Sequence, residues 1–199
     1  MAQIVIMLKK FKHLNAFFHP EVNRLNMLFS PFVTTIGSER FQIMQACDND
    51  IPALLELERQ VYSGQTPWDS FSFKTELRKK SNSLYLVVYS ASTLVAFIGA
   101  RFYPRETHIT NVAVNPQYQG RHIGRRLLEM IIERARKNKS ELVSLEVRID
   151  NDRAKNLYQS LGFEAAFIRK NYYQDVHKDA VNMILWLTPH KIKRRKFTF

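Results

Sequence analysis

The stretch VAVNPQYQGRHIGRRLLEMII, residues 112–132, changes period in its middle, and that change decides the fold. It opens on the end of a β-branched apolar run that stops at Asn115–Pro116. It closes on Leu128, Ile131 and Ile132, continued by Ala135, at the spacing of one helical face. The pattern predicts a strand, a turn and a helix over residues 125–137. The turn holds Gly120 and Gly124 among Arg121, Arg125 and Arg126. A strand that passes through a tight glycine turn into a helix leaves the first helical N–H groups without partners. With the positive end of the helix dipole, those donors form an anion site. Glycine lets backbone come close to a ligand. A pyrophosphate fits such a loop, and a plain turn without a ligand fits it equally well. The dinucleotide fingerprint G-x-G-x-x-G is absent, as is the phosphate-loop ending G-K-S/T.

Working outward, the chain alternates between the two periods from about Arg40. FQIMQA (41–46) reads as a strand, and Asp50 then caps a helix with Ile51, Leu54, Leu55 and Leu57 on its apolar side. SGQTPWDS (63–70) is a loop and SFKTELRKK (72–80) a short helix. LYLVVYSASTLVAFIGARFY (84–103) reads as two strands joined near Ser90–Ser92, and THITNVAV (107–114) as the next. Beyond the quoted stretch, ELVSLEVRI (141–149) alternates cleanly. A helix from Asp152 to Leu161 stops at Gly162, which suits a left-handed cap. EAAFIR (164–169) and AVNMILWL (180–187) are strands on either side of a loop, KNYYQDVHKD.

The chain of 199 residues, 45% hydrophobic and 24% charged, suits one soluble globular domain with extensions. No apolar run approaches the roughly 20 residues that cross a bilayer, and MAQIVIML lacks the basic start of a secretory signal. With Cys47 as the single cysteine, a disulfide framework and a cysteine zinc site are excluded, and Cys47 is expected to be a small buried side chain. A cytoplasmic setting is expected. The net charge is +12, and its excess lies at the ends. Residues 1–40 carry five basic and two acidic side chains, and residues 190–199 five basic and none acidic. Residues 1–38 are expected to be an extension. Leu8, Phe11, Leu14 and Phe18, then Val22, Leu25, Leu28 and Phe29, form an amphipathic face, either packed on the domain or bound to a surface or partner. The domain is expected over residues 39–189, with a basic tail over 190–199.

Two residues carry chemistry by type. Glu146 alternates with Val143, Leu145 and Val147 and so faces away from the more apolar side of its strand; by spacing it pairs with Arg148 at the surface. Tyr158 shares a helical face with Ala154, Leu157 and Leu161 and by spacing is a core aromatic. Asn151 is a helix cap.

The loop resembles the acetyl-CoA motif Q/R-x-x-G-x-G/A of the GCN5-related N-acetyltransferases, with Gln119, Gly120, Arg121, His122, Ile123 and Gly124 in its places. His122 stands where the family has its central glycine, a departure that matters if the position needs a positive φ; the backbone donors survive it. SLEVRIDNDRAKNLYQSLGFEAAFIRKNYYQD (144–175) is similar to the bacterial ribosomal-protein-alanine branch of that family, and the likeness spans roughly residues 40–188. The resemblance implies an α/β fold of the acyl-CoA N-acyltransferase type, a mixed central sheet flanked by helices. It implies acetyl-CoA as co-substrate, no metal, and the N-terminal alanine of a small-subunit ribosomal protein as acceptor. In that pattern Glu146 is the proton acceptor and Tyr158 the proton donor. Val112, Ala113 and Val114 line the acetyl and pantetheine arm, Gly120, Arg121, His122, Ile123, Gly124 and Arg125 cradle the pyrophosphate, and Asn151 touches the cofactor. Trp68, in its loop with Pro67, and Tyr172 and Tyr173 flank the peptide groove. Ribosome or RNA contact through the basic ends is the further expectation. A lysine or small-molecule acceptor, or a ribosome-associated binder without catalysis, are the alternatives.

Overall fold

A computed structural model describes residues 27–79, 81–173 and 176–189. The strands are β1 (Phe32–Ile36), β2 (Glu39–Gln45), β3 (Ser83–Ser90), β4 (Thr93–Phe102), β5 (Glu106–Val114), β6 (Leu142–Arg148), β7 (Glu164–Tyr173) and β8 (Lys178–Trp186). The helices are α1 (Ile51–Val61), α2 (Ser70–Leu77), α3 (Ile123–Lys137) and α4 (Asp152–Ser160). The strands form one mixed sheet in the order β1-β2-β3-β4-β5-β6-β8-β7. Every neighbouring pair is antiparallel except β5 and β6, which the α3 crossover makes parallel.

Strand alternation divides the core between two faces. Leu84, Leu86 and Val88 of β3 point to the face covered by α3, with its buried Leu127, Leu128, Ile131, Ile132 and Ala135. Tyr85 and Val87 point to the face covered by α1 and α2, against Leu54, Leu57 and Phe73. Each such fully buried aliphatic or aromatic side chain contributes roughly 1.5–3 kcal/mol. Gly162 closes the segment after α4 at φ +92°, the left-handed conformation expected of it.

Three sequence expectations shift. Residues 27–38, read as extension, join the domain: β1 pairs with β2 from Phe32↔Ile43 to Ile36↔Glu39, and Met27 is buried in the core. The segment 170–179 is largely strand, since β7 runs on to Tyr173 and β8 starts at Lys178, with Tyr173↔Lys178 paired. Its polar composition reflects two exposed strand ends rather than an irregular loop. Cys47 is exposed, because it lies just beyond β2, ahead of the turn into α1. The face built on Leu8, Phe11, Leu14 and Phe18 lies outside the described residues, as does the basic tail over 190–199.

A bulge opposite Gly99 shapes the centre of the sheet. Gly99 pairs with Asn111 and Ala100 with Ile109, which leaves Thr110 extra on β5. The Tyr85 ring lies over Gly99 and its hydroxyl bonds Thr110 Oγ1 at 2.8 Å. A Cβ on Gly99 would stand far inside contact distance of Tyr85 Cζ and Cε1, and 2.6 Å from Asn111 Oδ1. Gly99→Ala is therefore expected to destabilise the protein toward the upper end of the range for overpacking, about 1–3 kcal/mol, read as a lower urea midpoint.

Candidate active site

The two parallel strands part where the site lies. β5 and β6 pair only from Glu106↔Leu142 to Ile109↔Leu145. Beyond that, β5 stays with β4 up to Val114, and β6 stays with β8 up to Arg148. The cleft thus opens at the carboxyl ends of both strands, where α3 begins after β5 and α4 after β6. Glu146 is the first β6 residue beyond the split. Val112, Ala113 and Val114 form the β5 wall, and the Val114 carbonyl already accepts the Gln119 side-chain amide at 3.0 Å.

The glycine loop enters through a 3-10 turn, Pro116–Tyr118, in which Asn115 accepts from the Gln117 N–H at 2.9 Å. Gly120 has φ +83° and His122 φ +64°. The position where the family pattern has glycine does require the left-handed region, and a histidine there costs roughly 1–2 kcal/mol against an ordinary conformation. His122 is the N-cap of α3. The first turn closes with the Arg126 N–H donating to the His122 carbonyl at 3.0 Å, so the N–H groups of Ile123, Gly124 and Arg125 precede the helical ladder. α3 begins two residues before the sequence placed it. A Cβ on Gly124 would meet Val114 Cγ2 at 3.5 Å and Leu157 Cδ2 at 3.8 Å, ordinary contacts. The protein's own packing leaves room for a methyl there. An anionic ligand laid across the helix start fits both that room and the three donors.

The arginines divide. Arg121 turns away from the helix start to pair with Glu39 and the Gln117 carbonyl, its guanidinium 4.8 Å from the Tyr118 ring. Arg125 bonds Ser160 on α4 and stands 3.7 Å from Glu129. Arg153, which carried no signal in the sequence, bonds the Gln119 side chain at 2.6 Å and is the nearest neighbour of a Cβ built on Gly120, at 3.9 Å. Asn151 caps α4 by accepting from the Ala154 N–H at 3.1 Å.

Glu146 is not the surface partner of Arg148 that strand spacing suggests. Arg148 pairs with Asp150, and the Glu146 side chain is only 5% exposed. Its Oε1 lies 3.0 Å from Arg169 Nε and accepts from Asn182 Nδ2 at 3.0 Å. Its Oε2 lies 3.3 Å from His108 Nε2. Burial pushes its carboxyl above the ordinary value, against the opposing pull of Arg169 and Asn182. Neither His108 nor Asn182 stood out in the sequence, and Arg169 did so only as part of the stretch R-x-NYY that carries the resemblance. They come from three other strands, and only strand pairing brings them to one carboxylate.

Tyr158 is buried on α4 and packs on Phe163 at 5.9 Å, with burial raising its phenol. Tyr172 and Tyr173 are half-buried, with ring centroids 5.2 Å apart. Burial raises both phenols, and Tyr173 feels Tyr62, Tyr158 and Glu146 electrostatically. Glu146, Tyr158, Tyr172 and Tyr173 thus share one neighbourhood. Trp68 packs instead against the core cluster on the α1 and α2 face, its ring 5.4 Å from Phe73 and 6.1 Å from Tyr85.

The Trp68 N–H donates to Glu58 Oε2 at 3.0 Å. Glu58 is 1% exposed, and burial pushes its carboxyl up to about 8, opposed by that N–H. The folded protein therefore holds a proton that the unfolded chain, near 4.5, has released. This contribution is complete below about pH 4.5 and is lost as pH rises through about 8. Glu58→Gln removes the titration, so its stability relative to the parent should rise from pH 5.5 to about 8.5, by an amount on the order of a few kcal/mol. Urea midpoints of the two proteins across that range measure the difference.

The sheet split between parallel strands, with a glycine turn and helix start on one side and a buried carboxylate on the other, defines an acyl-transfer scaffold. Residues 51–163 match the acetyltransferase (GNAT) family, and the chain belongs to it. Among its relatives, the N-alpha-acetyltransferase RimI of Mycobacterium tuberculosis is 40% identical over 138 residues, which cover 67% of this chain and 85% of that protein. The ribosomal protein bS18-alanine N-acetyltransferase of Escherichia coli (strain K12) is 34% identical over 138 residues, 68% of this chain and 90% of that one. The crystal structure of the ribosomal-protein-S18-alanine N-acetyltransferase from Escherichia coli superposes with a TM-score of 0.67 at 30% identity, covering 78% of this chain and 99% of that one. The mixed α/β fold expected from the sequence is the one found.

Proposed function

We propose that this acetyltransferase moves an acetyl group from acetyl-CoA to the N-terminal α-amine, an alanine, of a small-subunit ribosomal protein in the cytoplasm. The observation that carries the reading is the placing of Glu146, buried on β6 just beyond the point where that strand parts from β5, whose own chain runs on into the α3 start. The names of two relatives support the acceptor, one an N-alpha-acetyltransferase and the other a ribosomal protein bS18-alanine N-acetyltransferase.

Acetyl-CoA, when bound, would supply an activated thioester; the N–H groups of Ile123, Gly124 and Arg125, with Arg153, would hold its pyrophosphate, and Val112, Ala113 and Val114 would hold its arm. Asn151 holds its position at the start of α4 as a cap and borders the same cleft. An α-amine has a pKa of about 7.7–8.0, so roughly a fifth to a third of it is neutral near pH 7.4, whereas a lysine near 10.4 is neutral in roughly one molecule per thousand. A carboxylate base of modest strength suits the first. Glu146, with its proton affinity raised by burial, takes the proton that the amine sheds as the C–N bond forms. Tyr158, whose phenol is raised, is a poor source of a whole proton and acts by hydrogen-bonding the departing thiolate. Tyr172, Tyr173 and the loop of Trp68 border the incoming peptide. The basic residues over 190–199 add an electrostatic hold on ribosomal RNA or an acidic ribosomal surface.

The test is incubation with acetyl-CoA and purified ribosomal proteins, followed by N-terminal mass analysis. One small-subunit protein should gain a single acetyl group on its first residue. Acetylation confined to lysine side chains, or none at all, would overturn the reading.

A further inference from the structure

We propose that His108 is a positioning residue for proton transfer: Ser144 and Glu106 lock its proton on Nδ1, so that Nε2 accepts a hydrogen bond from Glu146 once that carboxyl holds the proton taken from the amine. This rests on the proposed function for its catalytic consequence, though not for its geometry.

The lock is read from the direction of the hydrogen bonds. The Ser144 hydroxyl donates to Glu106 Oε1. A hydroxyl has one proton, so towards His108 Nδ1, 2.7 Å away, Ser144 Oγ can only accept. Nδ1 therefore carries the ring proton, and the Glu106 carboxylate 3.9 Å away favours it there. The opposite nitrogen then presents a lone pair to Glu146 Oε2 at 3.3 Å. Against ionised Glu146 that lone pair is repulsive, and against protonated Glu146 it accepts a hydrogen bond. A partner that bonds only the protonated form makes the carboxylate a stronger base.

The surroundings keep the ring neutral. His108 is 6% exposed, and burial lowers its proton affinity. Arg101 on β4 and Arg169 on β7 lower it further, and Glu106 on its own strand opposes them. Ser144 and Glu146 face it from β6. Glu146 Oε1 is held by Arg169 and by Asn182 of β8, so the oxygen turned to His108 is the one whose environment the tautomer sets.

Ser144→Ala unlocks the tautomer and leaves Arg169, Asn182 and His108 beside Glu146. Two readouts apply. The first is a carbon-13 titration of the Glu146 carboxyl in the protein alone, assigned by its loss in Glu146→Gln. The second is the pH profile of kcat/KM with acetyl-CoA and a hexapeptide bearing a free N-terminal alanine. In the variant, the Glu146 midpoint and the acid limb of the profile should both fall, by about one pH unit, and Ser144→Thr should restore them. If Ser144→Ala does not fold, Glu106→Gln serves: its amide can donate to Ser144, turning that hydroxyl toward Nδ1 and reversing the tautomer, with the same downward shift expected. A lower rate with an unmoved midpoint and limb would mean a merely structural role and overturn the proposal. A titration that shifts as stated in a parent protein that acetylates no N-terminus would sink the functional reading while leaving the tautomer lock standing.

Discussion

Glu146→Gln is expected to lower kcat on the order of 10²–10⁴-fold, the usual contribution of a positioned general base, with little change in KM for acetyl-CoA. Glutamine keeps the shape of the side chain and an oxygen for Asn182 and Arg169 to approach, but it cannot take up a proton. The loss should also alter the pH dependence. In the parent protein, the rate falls as pH drops through a Glu146 titration displaced upward by burial. In the variant, the residual rate should lack that limb. Stopped turnover assays across pH 5–9, with thiol release as readout, measure both; the window is chosen to span roughly the range between ordinary carboxylate and amine titrations. A variant with parental turnover would remove Glu146 as the base and leave the cofactor site untouched.

Arg101→Met is expected to cost about 3–5 kcal/mol of stability, the usual consequence of removing one partner of a buried ion pair. Glu76 of α2 has a side chain with 0% exposure; it accepts from Arg101 Nε at 2.8 Å, is approached by the Arg101 Nη2 group, and pairs with Lys79 Nζ at 2.6 Å. The two-pronged contact ties α2 to β4 across the face that also holds Trp68 and Phe73. Burial alone would raise the Glu76 carboxyl, but Arg101 and Lys79 outweigh it and hold it below 4.5. The contribution of the pair is therefore intact above about pH 4.5 and lost as pH falls through the lowered value. Methionine matches the length of the arginine stem and leaves the carboxylate with Lys79, which is 36% exposed and cannot replace a two-pronged partner. A urea melt at neutral pH checks the loss. The arginine also bears on the site, since it is one of the charges that keep His108 neutral.

The glycine turn shows how far sequence carries a site and where it stops. Gly120, Gly124 and the change of period around them were enough to expect free N–H groups at a helix start, and α3 supplies them. The same residues suggested three arginines gathered there. Arg121 is instead drawn off by Glu39, 82 positions away, and Arg153 stands beside the loop. A local pattern contains backbone geometry, because that is set by neighbours in the chain. It does not contain the partner of a long flexible side chain. For the same reason Glu146 read as exposed: period-two alternation separates the two faces of a strand, but says nothing of what covers the second face. Arg169, Tyr172 and Asn182 make that face an interior.

The order of strand and helix signals, the turn residues and the spacing of the apolar positions were determined by the sequence alone, and with them the alternating α/β class of the fold. These depend on interactions a few residues apart, which periodicity records. Two things were decided only by tertiary structure: the incorporation of residues 27–38 through β1, and the ring of His108, Arg169 and Asn182 around Glu146. Each depends on segments that are distant in the chain and adjacent in the sheet. The burial that alters the chemistry of a carboxylate arises from that adjacency.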